Sequence, residues 1–382
     1  MRYPTRGDIT PFFAMEVMKE ANKREAEGKP VFHMEVGQPA TSAPSRVKEA
    51  AARALKDQPI GYTEALGIPP LRTAIARHYG NMYGIDLDPS RVVVTTGSSG
   101  GFLLSFLSLF AAGDRVALAE PGYPAYRNIL QSLDVEPVGL PCGPETNFQP
   151  TPALLDAIEG DLNGLLVASP ANPTGTMLQP TELKALIGYC SDRSMHFISD
   201  EIYHGLTYGT ETVSALSYSD DVIVINSFSK YFSMTGWRLG WMVVSEELAG
   251  KMEKLAQSLF ISAPTLSQYA AIEAFNCKDE LEVYKTNYEK NRDLLLRELP
   301  LMGLDKLAAA DGAFYIYADV SHLTDDSMVF CRQMLTECGV ATTPGLDFDP
   351  GRGRHYIRLS FAGSTDVIEG AVEALRRWLK TR

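Results

Sequence analysis

The sequence predicts an α/β protein: a large domain with a mostly parallel seven-stranded sheet covered by helices on both faces, one strand antiparallel, plus a smaller α/β domain built from both chain ends. Three observations carry this. From Arg91 to Val244, short runs rich in β-branched residues alternate with helical stretches, the pattern of parallel strands joined by crossover helices. Only a short loop separates Asn226 from Gly240, too little for a full crossover, so the last strand of the series runs antiparallel. Beyond residue 280 the pattern changes to a long helix and then short strands between helices. The expected division is 45–280 for the large domain and 1–44 with 281–382 for the small one.

Taken in order, Thr10-Pro11 reads as an N-cap followed by proline at the first helical position, and Gly28 closes that helix. A strand is expected over 31–36, then a loop from Gly37 to Pro44, a helix over 45–55, and a second helix in which Leu71, Ile75 and His78 or Tyr79 recur at helical spacing. The seven strands of the large sheet are expected at 92–95, 116–120, 135–140, 165–168, 196–199, 222–226 and 240–244, with helices at 101–110, 151–159 and 181–190 among the connections. Later helices fall at 281–299, 327–338 and 366–379, with strands at 313–318 and 356–361. Asp366 and Glu369 are spaced as a capping pair.

Composition excludes several function classes. The chain has 382 residues, 45% apolar and 21% charged, with a formal charge of −12 and no Lys/Arg-rich run, which disfavours nucleic-acid and anionic-membrane partners. No apolar segment reaches membrane-spanning length, and no secretory signal is recognisable, so a cytoplasmic location is expected. The five cysteines are scattered without a Cys-x-x-Cys pair, and the six histidines show no His-x-x-x-His spacing. Neither a disulfide frame nor a metal centre is expected.

The chemistry centres on Asn226-Ser227-Phe228-Ser229-Lys230, at the end of the strand 222–226. Ligands in α/β proteins collect at such strand ends. An amine there suits imine formation with a carbonyl cofactor, although a single lysine after a strand is more often a surface residue. Thr95-Thr96-Gly97-Ser98-Ser99-Gly100-Gly101 joins a strand to an apolar helix, where free N–H groups and small residues make an anion site or simply a tight turn. Neither the Walker A nor the dinucleotide glycine pattern is present, which points to a phosphate monoester rather than a nucleotide. Ser227 and Arg238 flank Lys230 with a hydroxyl and a bidentate cation suited to the same group.

Other strand ends add partners. Asn172, in Asn172-Pro173-Thr174-Gly175, offers an amide donor to a phenolate-like oxygen or merely marks a turn. Asp200, in Asp200-Glu201-Ile202-Tyr203, suits a protonated ring nitrogen or an N-cap, and Tyr203 reaches the same oxygen as Asn172. Tyr123, in Pro121-Gly122-Tyr123-Pro124, either stacks on a planar ring or packs. Ser227-x-x-Lys230 also matches a motif of penicillin-recognising serine enzymes, but the accompanying Ser-Asp-Asn and Lys-Thr-Gly are absent and the motif ends a strand instead of opening a helix.

With Gly37-Gln38-Pro39, Tyr62 and Gly67…Leu71-Arg72, Thr96-Gly97, and Tyr356-Ile357-Arg358-Leu359-Ser360-Phe361, these motifs run almost end to end. In this order they resemble the fold type I pyridoxal-phosphate enzymes, specifically the class I/II aminotransferases. The resemblance implies pyridoxal 5'-phosphate held by Lys230 as an internal aldimine, with Asp200 on the ring nitrogen, Asn172 and Tyr203 on the ring hydroxyl, and Tyr123 stacked on the ring. It implies a phosphate held by Ser98, Ser99, Ser227 and Arg238, joined by Tyr62 from a partner subunit, hence a homodimer. Gly37, Asn172 and Arg358 would bind the substrate carboxylate. The implied reaction moves an amino group from an L-amino acid to a 2-oxo acid, 2-oxoglutarate or pyruvate, by a ping-pong cycle. The motifs alone leave a lyase, decarboxylase or synthase on the same fold as an alternative. A ligand-sensing regulator is a further one, against which the lack of a basic patch counts. The N-terminal stretch 9–13 and the loop 342–345 are expected near the substrate side chain, and their apolar character suggests neutral or aromatic substrates.

Overall fold

The computed structural model describes residues 5–381. In chain order its helices are α1 (Phe13–Ala26), α2 (Ser45–Asp57), α3 (Pro69–Tyr83), α4 (Gly97–Leu109), α5 (Pro124–Ser132), α6 (Pro152–Asp156), α7 (Pro180–Asp192), α8 (Glu246–Leu259), α9 (Thr265–Ala271), α10 (Lys278–Glu298), α11 (Ser327–Cys338) and α12 (Thr365–Leu379). Its strands are β1 (Phe32–His33), β2 (Val92–Thr95), β3 (Arg115–Glu120), β4 (Glu136–Pro141), β5 (Gly164–Ala168), β6 (His196–Asp200), β7 (Ile223–Ser227), β8 (Gly240–Val243), β9 (Tyr315–Asp319), β10 (Val340–Ala341), β11 (Thr343–Pro344) and β12 (Tyr356–Ser360).

The large sheet has seven strands in the order β2-β8-β7-β6-β5-β3-β4. β8 runs antiparallel to both neighbours, β2 and β7, while the other pairs are parallel. Both faces are covered, and the pleat shows why the strands carry runs of consecutive apolar residues instead of alternating apolar and polar ones. On β8, Trp241 and Val243 join the core on one face and Met242 the core on the other. β7 divides the same way, with Val224 on one side and Ile223 and Ile225 on the opposite side. α4 and α8 pack together on the second face, α4 against β7 and β8.

The remaining chain builds a separate apolar cluster around Phe314, Ile316, Ile357, Leu359, Leu375 and Trp378. Here β9, β12 and β11 form an antiparallel sheet, in which Arg358 of β12 lies between Thr343 and Tyr317. β1 pairs in parallel with β10, so residues 32–33 of the early chain are tied to residues 340–341.

Several boundaries differ from expectation. The first helix begins at Phe13, not after Thr10, and its N-cap residue Phe12 supplies no side-chain acceptor. Asp347 does so instead, accepting from the Phe13 and Ala14 N–H groups at 3.0 and 3.3 Å. The strand expected over 31–36 contracts to Phe32–His33, because its partner β10 is itself two residues long. α12 takes Ser364 as its N-cap, so Asp366 lies inside the helix and the expected capping pair is not the cap. α4 begins at Gly97, bringing Ser98 and Ser99 into its first turn. α8, with Ser245 accepting from Leu248 N–H, occupies a stretch for which the sequence reading gave no element.

Candidate active site

One cavity of about 260 Å³ gathers residues from the ends of the large-sheet strands on one side and from β9, β12 and the first turn of α1 on the other. Among the residues named from sequence, it is lined by Gly37, Ser98, Ser99, Tyr123, Asn172, Asp200, Tyr203, Lys230, Arg238 and Arg358. Two named residues stand apart. Tyr62 is on the outside of the subunit, 84% exposed. Ser227 is buried behind the wall, its hydroxyl 2.9 Å from the Ser229 hydroxyl and 3.1 Å from the Leu239 carbonyl, while Ser229 itself lines the cavity.

Lys230 follows β7 through a turn and donates from Nζ to the Gly37 carbonyl at 2.6 Å. A glycine is required there: a Cβ on Gly37 would lie 1.8 Å from the Tyr315 hydroxyl. Burial brings the Lys230 ammonium down to about 8, helped by the positive charge of Arg358 and opposed by Asp200. Neutral amine is therefore available near physiological pH.

Asp200 closes β6. Its carboxylate accepts from the Tyr126 hydroxyl and, at 3.0 Å, from the Ile202 N–H. Burial pushes its carboxyl up to about 6, while those two hydrogen bonds and Lys230 hold it down. It therefore remains anionic at neutral pH. Tyr203 shares a hydrogen bond of 2.7 Å with Tyr315, and burial raises its phenol well above the ordinary range, so it is a proton donor, not a phenolate. Tyr123 lies with Phe12 at 5.9 Å between ring centroids and edge-on to Tyr126 at 5.4 Å.

At one end, the first turn of α4 presents Ser98 and Ser99. Gly97 has φ +68°, and a Cβ there would meet the Arg238 guanidinium at 2.5 Å. Arg238 itself sits in the left-handed region at φ +52° and donates to the Thr235 carbonyl at 3.1 Å. Helix N–H groups, hydroxyls of Ser98, Ser99, Ser229 and Thr235, and one guanidinium make a cradle for a compact dianion.

At the other end, Arg358 donates from Nη1 to Asn172 Oδ1 at 2.8 Å and from Nη2 to the Glu35 carbonyl and, at 3.2 Å, to Thr343 Oγ1. Its guanidinium lies between the rings of Tyr315 and Phe348, at 4.4 and 4.7 Å from their centroids. Its Nε is buried without a hydrogen-bond partner. Among the described residues no cluster of metal-ligating side chains exists.

The sequence reading passed over Tyr126, Ser229, Thr235, Tyr315, Asp347 and Phe348, all of which line the cavity. Tyr126 left a signal, lying one helical turn beyond Tyr123 at the start of α5. Tyr315, inside an expected strand, and Phe348 left none.

Pyridoxal phosphate fits this donor set. The amine, the buried anionic carboxylate, the phenol and the dianion cradle all face one cavity, and each matches one polar feature of that molecule.

The comparisons with known proteins agree. A family model described as aminotransferase class I and II matches residues 29–375. A valine–pyruvate aminotransferase of Mycobacterium tuberculosis is 48% identical over 100% of this chain and 99% of its own. The crystal structure of an aminotransferase from Mycobacterium tuberculosis superposes with a TM-score of 0.99 at 48% identity, covering all of both chains. That of a putative aminotransferase from Silicibacter pomeroyi does so at 0.95 and 50% identity, again covering all of both.

Proposed function

This chain belongs to the class I and II aminotransferase family, and from that premise we propose that it takes a neutral aliphatic amino acid as donor and pyruvate as acceptor. The protein is an aminotransferase, moving the amino group of an amino acid to a 2-oxo acid in two half-reactions. The substrate class is supported by the wall of the cavity, where Phe12, Ala14, Met15, Val36 and Phe348 are apolar. Among the described residues of this subunit, the cations that line the cavity are Lys230, Arg238 and Arg358, each with another task, so the subunit offers none of its own to a second carboxylate. The name of the 48% identical relative points the same way.

When bound, pyridoxal phosphate supplies the carbonyl that takes up the amino group and a ring that draws electrons from Cα. In this reading Ser98, Ser99, Ser229, Thr235 and Arg238 hold its phosphate, with Ser227 steadying Ser229 from behind. Asp200, kept anionic by Tyr126 and the Ile202 N–H, holds a proton on the ring nitrogen. Tyr203 and Asn172 would bind the ring hydroxyl, and Tyr123 would pack on the ring. Arg358 binds the substrate carboxylate and so fixes which Cα bond faces Lys230, whose neutral amine takes the proton from Cα and returns it. The single observation that carries this reading is that Lys230 and Asp200, from the ends of adjacent strands β7 and β6, face one cavity.

The same reading includes the large domain at 45–280 with both chain ends forming the small one, supported by their separate apolar clusters. It includes a homodimer in which Tyr62, exposed on its own subunit, reaches the partner's phosphate site, and a cytoplasmic location, supported by the free cysteines. No helix among the described residues is long and apolar enough to cross a membrane.

The test is a donor panel with pyruvate and with 2-oxoglutarate. Valine and similar neutral donors with pyruvate are expected to lead. One 2-oxo acid should be released per site when donor is supplied without acceptor. Release of ammonia or carbon dioxide instead would overturn the assignment, and a preference for aspartate would overturn the substrate class.

A further inference from the structure

Among the described residues, Asp347 is the one carboxylate other than Asp200 on the cavity wall, which it shares with the apolar residues assigned to the substrate side chain. It is 4% exposed. Each of its oxygens accepts one N–H from the first turn of α1, a helix whose own N-cap residue Phe12 offers no acceptor. Burial raises its carboxyl above the ordinary carboxylate range, opposed by the Phe13 and Ala14 N–H groups at the positive end of that helix and by the charges of Arg358 and Arg127. We propose that Asp347 is a specificity-determining residue: its fixed negative charge rejects substrates with a second carboxylate, while its bonds to α1 hold Phe12 and Met15 against the side chain of a neutral one.

This inference rests on the reading of Arg358 as the carboxylate anchor. A substrate held there extends its side chain along the remaining wall, and an acidic side chain would be set beside Asp347 with no spare cation among the described residues of this subunit to offset it. Like charges brought together in a desolvated site repel strongly, which makes exclusion more effective than shape alone.

The experiment uses the cofactor-loaded enzyme and Asp347→Asn, which removes the charge and keeps an acceptor for the helix. The ratio of kcat/KM for aspartate to that for valine is expected to rise roughly tenfold or more. Calorimetric titration with two unreactive analogues supplies a second readout: succinate should bind more tightly to the variant, and 3-methylbutanoate should bind as before. If Asp347→Asn fails to fold, Asp347→Thr serves in the same assays, being neutral and able to cap. An unchanged ratio, or equal weakening of both analogues, would reduce Asp347 to a helix cap and overturn the proposal. A wild-type enzyme that prefers aspartate would instead sink the substrate reading, whatever the variant does.

Discussion

The two walls of the cavity are built in different ways. The wall assigned to the cofactor comes from successive strand ends of one sheet: Asn172 after β5, Asp200 at the end of β6, Lys230 after β7, and the first turn of α4 after β2. Each group sits in a short local motif whose backbone is fixed by strands buried on both faces. The wall assigned to the substrate is assembled from distant parts of the chain. Arg358 is tied to Glu35 and Asn172, 323 and 186 positions away, and the start of α1 is tied to Asp347, 334 positions away. The first wall draws its groups from consecutive ends of one sheet. The second also has a core behind it, at β12, but its polar groups are joined by long-range contacts, which makes it the part that can be retuned for substrate.

The largest effect expected is on the first wall. Lys230→Ala should lower turnover by at least about 10³-fold, since it removes the group that moves the proton at Cα. Purified variant should also lack a pyridoxal phosphate absorbance that borohydride can fix to the chain. Near-normal turnover would end the distinction between the walls, because the most constrained residue would then be dispensable.

The second wall should respond more mildly, and in binding. Arg358→Lys keeps the charge but loses the planar fork held between Tyr315 and Phe348. KM for the amino donor should rise about 10- to 100-fold, the cost of charge-assisted hydrogen bonds lost. Cofactor affinity, set by the other wall, should stay put. A large fall in cofactor binding would show that the walls are not separable.

Tyr126→Phe asks how stiff the first wall is. Tyr126 donates to Asp200 and holds its carboxyl down against burial. Without that donor the carboxyl titrates above its present value of about 6, so the acid limb of the kcat/KM profile should move to higher pH, by roughly one unit. An unmoved limb would mean that the Ile202 N–H suffices.

The same contrast explains what the sequence discloses. β7 and β8 are legible because runs such as Val222–Val224 and Trp241–Val244 have no other use than a strand buried on both faces. The motifs at their ends inherit that position, so Lys230, Asp200 and Asn172 stand out as strand-end candidates, and the family resemblance supplies the roles it implies for them. Asp347 cannot be, because its role is set by Phe13 and Ala14 of a helix at the other end of the sequence. Thr10-Pro11 carried the local signature of a cap, yet the helix waits until Phe13, where the remote carboxylate waits for it. Ser227 and Ser229 look alike in sequence, and only the turn decides that one hydroxyl bonds the backbone of Leu239 while the other reaches the cavity.

The smallest effect tests whether the first wall stores strain for function. In the cofactor-free protein Lys230 titrates at about 8 against an ordinary 10.5, so its charged form is disfavoured on folding. Below about pH 8 both folded and unfolded chains carry the proton, and the full penalty of burying that charge applies. Between about 8 and 10.5 the unfolded chain binds more protons than the folded one, so stability rises with pH and the penalty disappears. Cofactor-free Lys230→Met, which buries no charge there, should therefore be the more stable protein at neutral pH and lose that advantage as pH passes from about 8 towards 10. Removing the lysine also strips Asp200 of a favourable neighbour, which trims the advantage at neutral pH without altering its narrowing at high pH. Urea unfolding of both proteins across this range reads the gap directly. A gap that does not change with pH would mean that the lysine is as comfortable folded as unfolded, and that the wall holds it at no cost to the fold.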